Sequence, residues 1–215
     1  ILHTNYRNTQ EVTQVANRLL MLKQRRFGSI DHESNFLVES ISEVPGRIDL
    51  VVDSSLQRKD IDTKTNRSTR YAVIVLRDDD KITAKQVFST PLIFSVQEAK
   101  GLEYENIILF NLVSSASKEY SECTSDINMI DLKGELTYSR AKDKTDKSLE
   151  VYKFYINSLY VALTRAVKQV MIIERDINHP LWETLGLRKG NNFIELKKDE
   201  SSQEEWQREA RKLEL

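Results

Sequence analysis

Four largely apolar runs, rich in β-branched side chains, constrain this fold most: Tyr71-Ala72-Val73-Ile74-Val75-Leu76, residues 92–96, residues 107–113 and residues 170–173. A strand with one wet face alternates apolar and polar residues, whereas a strand covered on both faces is apolar throughout. Between the runs lie stretches of helical period. Val12, Val15, Ala16, Leu19 and Leu20 recur at spacings of three and four after Asn8, with Glu11 placed for a capping box and Gly28 beyond the end. Leu149, Tyr152, Ile156, Leu159, Tyr160 and Leu163 form a second stripe, with Thr145 or Asp146 available as its cap. A shorter strand, Ile48-Asp49-Leu50-Val51-Val52, follows Pro45-Gly46. Strands alternating with helices predict an α/β domain whose sheet is mostly parallel.

The remaining segments are weaker. Residues 114–146 are rich in Ser, Lys, Asp and Thr without a sustained period and read as a long loop or insertion, with room for one short hairpin. Pro180-Leu181-Trp182 opens a short helix that stops near Gly186, and Phe193-Ile194-Glu195-Leu196 suits an edge strand. Residues 201–215 predict a charged helix with only Trp206, Ala210 and Leu213 on one face, too little apolar surface to be stable alone. It resembles the opening helix of a tetratricopeptide-like array, against the plainer reading of a frayed tail. The division is thus one domain over 1–196 and a tail over 197–215. At 215 residues there is room for one good-sized core and not for a second enzymatic lobe. The first residue is Ile1, and an element begins almost at once, so a piece of a longer protein is expected.

Composition excludes several classes of function. Lys+Arg 32 against Asp+Glu 33 leaves a net charge of −1, so any polyanion site is a local patch and not a bulk field. A single cysteine, Cys123, rules out an internal disulfide or a cysteine zinc cluster and fits a reducing compartment, with the cytoplasm as the expected location. No apolar stretch approaches the roughly 18 residues that span a bilayer, so no membrane partner is expected. His3, His32 and His179 stand in unlike contexts, and neither a metal site nor a nucleophile–His–acid arrangement follows from them.

Three segments place charged side chains at the ends of regular elements, where open sheets gather ligands. Asn5-Tyr6-Arg7 precedes the first helix: the arginine suits a bidentate phosphate contact and the tyrosine ring a stacked base. Ser95-Val96-Gln97-Glu98-Ala99-Lys100-Gly101-Leu102-Glu103 breaks a buried strand into a glycine turn, with hydroxyl and ammonium groups suited to phosphates and a carboxylate suited to sugar hydroxyls. Tyr160-Val161-Ala162-Leu163-Thr164-Arg165-Ala166 ends an apolar helix, and its plain reading is a core helix whose terminal arginine favours the helix dipole.

In order and wording, these segments resemble motifs IV, V and VI of superfamily 1 helicases of the UvrD/Rep type, over residues 2–175. The resemblance implies a RecA-like three-layer domain: the second motor domain, which closes on a first that carries the phosphate loop. No Gly-x-x-x-x-Gly-Lys-[Ser/Thr] occurs here. It further implies that ATP binds between the two domains, with Mg²⁺ held by the other one. Tyr6 would stack on adenine, Arg7 and Arg165 would be arginine fingers to the γ-phosphate, and Glu103 would hold the ribose. Gly101 would make the turn, while Ser95, Gln97 and Lys100 would line a track for single-stranded DNA, or RNA. The implied activity is ATP-dependent helicase or translocase action, with the isolated chain inactive.

Departures from the pattern limit this. Gln97 stands where the family often has His, and Asn157 where Arg is common. Only residues 26–90 separate the first two boxes, so the large accessory arm is missing or minimal and duplex unwinding does not follow. A rival reading takes Gly46-Arg47-Ile48-Asp49 and Asp62-Thr63-Lys64 as the metal-binding strands of a nuclease. The solvated run Gln57-Arg58-Lys59-Asp60 before it argues against a buried strand there. An alternative from another class is a helicase-like scaffold that keeps the fold without the motor.

Overall fold

A computed structural model describes residues 3–5, 7–28, 37–134, 147–187 and 194–214. In chain order the elements are β1 (His3–Asn5), α1 (Gln10–Phe27), β2 (Val38–Ser40), β3 (Arg47–Val52), α2 (Ser55–Thr65), β4 (Tyr71–Val75), α3 (Asp80–Val87) and β5 (Ile93–Ser95). There follow α4 (Val96–Ala99), β6 (Tyr104–Phe110), a 3₁₀ turn (Ser114–Ala116), α5 (Ser117–Thr124), a second 3₁₀ turn (Met129–Asp131), α6 (Lys147–Thr164), β7 (Ala166–Glu174), α7 (Pro180–Thr184) and α8 (Gln203–Glu214). The main sheet has five strands in the order β3-β7-β6-β4-β5, every pair parallel, and β1 and β2 form a separate parallel pair.

The apolar runs are explained by two cores, one on each face of this sheet. Leu50, Ala72, Ile74, Ile107, Leu109, Val170 and Ile172 face a layer built on α1, α5 and α6. Their neighbours Val51, Val73, Val75, Ile108, Phe110, Met171 and Ile173 face the other way, onto Ile61 of α2, Ala84 of α3 and Phe88. Each such buried Val, Leu, Ile, Phe or Met side chain contributes roughly 1.5–3 kcal/mol relative to exposure. The result is a three-layer α/β domain of RecA-like arrangement. Among the described residues no helix is long and apolar enough to cross a membrane.

Several local expectations change. The capping box at Asn8 does not form: Thr9 is the N-cap of α1, Glu11 accepts from the Gly46 N–H at 2.9 Å, and the Asn8 amide bonds elsewhere. Helices α2 and α3 occupy segments too polar to show a period, since only Gln57, Ile61 and Thr65 of α2 and Ala84 of α3 are buried.

The first part of residues 114–146 is not a loop. Tyr120 and Cys123 on α5 are fully buried, and the Tyr120 hydroxyl donates to the Tyr155 carbonyl of α6 at 2.9 Å. A two-turn helix with three buried positions is too short for periodicity to reveal. Residues 135–146, including Thr145 and Asp146, lie outside the described residues, as does Phe193. Ile194 is buried without forming a strand, its N–H donating to the Gln57 side chain at 3.0 Å. The C-terminal helix is docked rather than frayed, with Trp206 packed against the core and Glu209 buried.

Candidate functional site

Asn8 does the work of assembly. It is buried, and its amide donates to the Ala166 carbonyl at 2.6 Å and the Thr164 carbonyl at 3.1 Å. The Thr9 N–H adds a bond to the Val167 carbonyl at 3.1 Å. These bonds fasten the segment before α1 to the junction of α6 and β7, and so set Arg7 beside Arg165. The Tyr104 N–H donates to the Arg165 carbonyl at 3.0 Å, which aligns the start of β6 with the start of β7 and brings Glu103 to the same place.

Arg7 and Glu103 form an ion pair through the Arg7 Nε, although Glu103 Oε1 has no hydrogen bond of good geometry. Arg165 is half-buried. Its Nε donates to the Val161 carbonyl at 3.1 Å and a terminal nitrogen to Thr164 Oγ1 at 3.3 Å, as the helix-end reading anticipates. Burial pulls the Arg165 guanidinium below its ordinary pKa, Glu103 opposes that shift, and the Arg7 charge adds to it. Arg7, Asn8, Thr13, Tyr160, Thr164 and Arg165 line a cavity of about 170 Å³. Thr13 is 4% exposed, and its hydroxyl has no hydrogen-bond partner. Two guanidiniums against one carboxylate leave the trio one positive charge in excess, an arrangement suited to an anion.

The second group lies apart from the first. Val75 stands beside Ser95 and Ile74 beside Leu109, which puts Ser95 at the carboxyl edge of the sheet, about 20 Å from the amino edge where β6 and β7 begin. The trio therefore occupies the amino edge, not the carboxyl edge that usually gathers ligands in open sheets. Ser95 is 1% exposed, and its hydroxyl serves a capping box with Glu98 at the start of α4. Its role is to position α4, with no exposed hydroxyl to offer a strand. Gln97 and Lys100 are exposed, joined by a 2.9 Å bond, and they border a cavity of about 180 Å³ with Phe154, Asn157 and Val161. Gly101 has φ +85°, and a Cβ there would meet nothing within 4 Å, so glycine is required by the turn and not by space. Tyr6 lies outside the described residues.

The nuclease reading loses its strand. Asp62 and Lys64 are on α2, where Asp62 accepts from the Ser89 N–H and hydroxyl at 2.7 and 3.0 Å. Among the described residues no three His, Cys, Asp or Glu side chains are grouped to hold a metal ion. Asn8 and Thr13 are the site residues that sequence reasoning missed. Asn8 adjoins Arg7 and carried a signal only as a helix cap. Thr13 carried none.

No family model matches the sequence. No curated protein matches it either. Among solved structures the chain is similar to the C-terminal domain of a possible DNA helicase from Lactobacillus plantarum, with 14% identity and a TM-score of 0.39 over 84% of this chain and 94% of that one.

Proposed function

We propose that this chain is the second RecA-like domain of an ATP-dependent superfamily 1 helicase or translocase that acts on single-stranded DNA, or RNA. The observation that carries the reading is the convergence of Arg7, Glu103 and Arg165, distant in sequence: Arg7 and Arg165 line one cavity, Glu103 pairs with Arg7, and the trio has one positive charge in excess. Arg7 and Arg165 approach the γ-phosphate of ATP from this side, Glu103 takes the ribose hydroxyls, and Tyr6 stacks on the adenine. A first RecA-like domain supplies the phosphate loop and the Mg²⁺ ligands. As the phosphoryl group transfers, the two guanidiniums stabilise charge on its oxygens, an effect worth about 10³–10⁵ in rate in comparable enzymes. Gln97 and Lys100 belong to the strand track, with Ser95 holding the helix that carries Gln97.

The test is ATP hydrolysis by the full-length protein. Arg7→Ala or Arg165→Ala is expected to lower kcat by about 10³ or more while nucleotide affinity changes far less. Unchanged turnover in both variants would overturn the arginine-finger roles and leave Arg165 as no more than a cap on α6, whereas no hydrolysis by the full-length wild-type protein would favour the helicase-like scaffold. Hydrolysis by the purified chain alone, lost on Arg165→Ala, would overturn the half-site reading.

A further inference from the structure

The C-terminal helix reaches the candidate site through a single peptide unit. The Glu103–Tyr104 peptide is held at both poles: its N–H donates to the Arg165 carbonyl at 3.0 Å, and its carbonyl accepts from Lys212 Nζ of α8 at 3.1 Å. The same ammonium lies 4.2 Å from the centre of the Tyr104 ring and 3.4 Å from Glu209 Oε1. Glu209 in turn accepts from the Tyr104 hydroxyl at 2.5 Å. Lys212 thus meets a carbonyl, a carboxylate and an aromatic face together, which fixes a side chain that is otherwise mobile on a helix surface.

Upstream, α8 is moored by polar contacts. Arg70 binds Asp199 at 2.9 Å and Glu205 at 2.7 Å, and Trp206 Nε1 donates to the Arg67 carbonyl at 3.2 Å. Arg70 immediately precedes β4, and its carbonyl accepts from the Asn106 N–H at 3.0 Å. The helix therefore lies along the amino edge of the sheet, where the Arg7–Glu103–Arg165 trio sits.

We infer that Lys212 is a positioning residue for Glu103: from α8 it pins the peptide unit that carries the Glu103 carbonyl. This rests on the reading of the trio as a nucleotide site. With the carbonyl released, the peptide is free to rotate about its remaining bond and carry the Glu103 carboxylate off its line to the ribose. Small displacements of a contacting group have large effects on a bound substrate.

Two measurements test it. In the full-length protein, Lys212→Met, which keeps the stem and removes the ammonium, is expected to raise KM for ATP about tenfold with kcat within about twofold. Lys212→Arg should recover most of that loss, and Lys212→Met should add nothing in a Glu103→Gln background, because both act on one contact. In the chain itself, Lys212→Met should speed hydrogen exchange of the Tyr104 amide about tenfold while the amides of β4 keep their protection. Wild-type KM together with unchanged Tyr104 exchange overturns the inference, and so does additivity with Glu103→Gln. If Glu103→Gln itself leaves hydrolysis unaltered, the nucleotide reading fails, and the Tyr104 exchange rate still decides whether Lys212 pins the peptide. Should Lys212→Met not fold, Tyr104→Phe and Glu209→Gln loosen the same ammonium from its other partners, and a KM unmoved by either overturns the inference.

Discussion

Replacing Asn8 tests the assembly of the site at its origin. Asn8 is 4% exposed, and its amide serves two carbonyls, Ala166 O at 2.6 Å and Thr164 O at 3.1 Å. Asn8→Ala removes both bonds and leaves a buried acceptor on β7 with one partner fewer. A net hydrogen bond contributes about 0.5–1.5 kcal/mol and an orphaned buried group costs about 1–3 kcal/mol, so a loss of about 2–4 kcal/mol is expected. Asn8→Asp is the sharper variant. Its shape is nearly unchanged, but at neutral pH a carboxylate oxygen faces carbonyl oxygens, so it should be less stable than Asn8→Ala.

The pH dependence of Asn8→Asp follows from the same contact. Burial against acceptors raises the folded-state pKa of the introduced carboxyl above its unfolded value of about 3.9. The protonated form donates to one carbonyl, so the variant is relatively most stable below about pH 4 and loses that stability as pH rises. Urea unfolding followed by circular dichroism at pH 4 and pH 7 measures both effects. An Asn8→Ala loss below about 0.5 kcal/mol, or an Asn8→Asp variant more stable than Asn8→Ala at pH 7, would refute the claim that these two bonds join the segments.

Two further predictions concern buried titratable groups. Glu174, fully buried and bonded by the N–H groups of Val113 and Ser114 and by the Ser114 hydroxyl, has its pKa raised by burial from 4.5 to about 7. The protonated form is favoured on folding, so its contribution is fully present below about pH 4.5 and is lost as pH rises through 7, about 3 kcal/mol in all. Unfolding free energies from pH 5 to 8 should fall, and Glu174→Gln should flatten that limb; an unchanged slope in the variant would count against it. Cys123 is fully buried, and burial pushes its thiol up to about 12. A thiol reagent at pH 8 should label it only at the rate of unfolding; prompt stoichiometric labelling of the folded chain would show that α5 is not packed as described.

The largely apolar runs within β4, β5, β6 and β7, together with the helical periods between them, determine the fold class, because burial on both faces leaves few polar residues in the middle of a strand. The motifs likewise marked Arg7, Glu103, Arg165 and the turn at Gly101. Helices α2, α3 and α5 were illegible, since each buries three residues or fewer and polar neighbours swamp so short a period. Ser95 reads as a ligand beside the glycine turn, although Ser95-Val96-Gln97-Glu98 carries the capping-box spacing that in the structure closes its hydroxyl on Glu98. The meeting of Arg7 with Glu103 and Arg165 was decided by the tertiary structure alone, through the Asn8 amide on Thr164 and Ala166 and the Tyr104 N–H on Arg165. So was the docking of α8, whose anchors at Arg70 and Lys212 are polar contacts across more than a hundred residues. Periodicity records which way a side chain faces along its own element. Which distant backbone carbonyl will receive a given amide or ammonium depends on how the strands are ordered in the sheet.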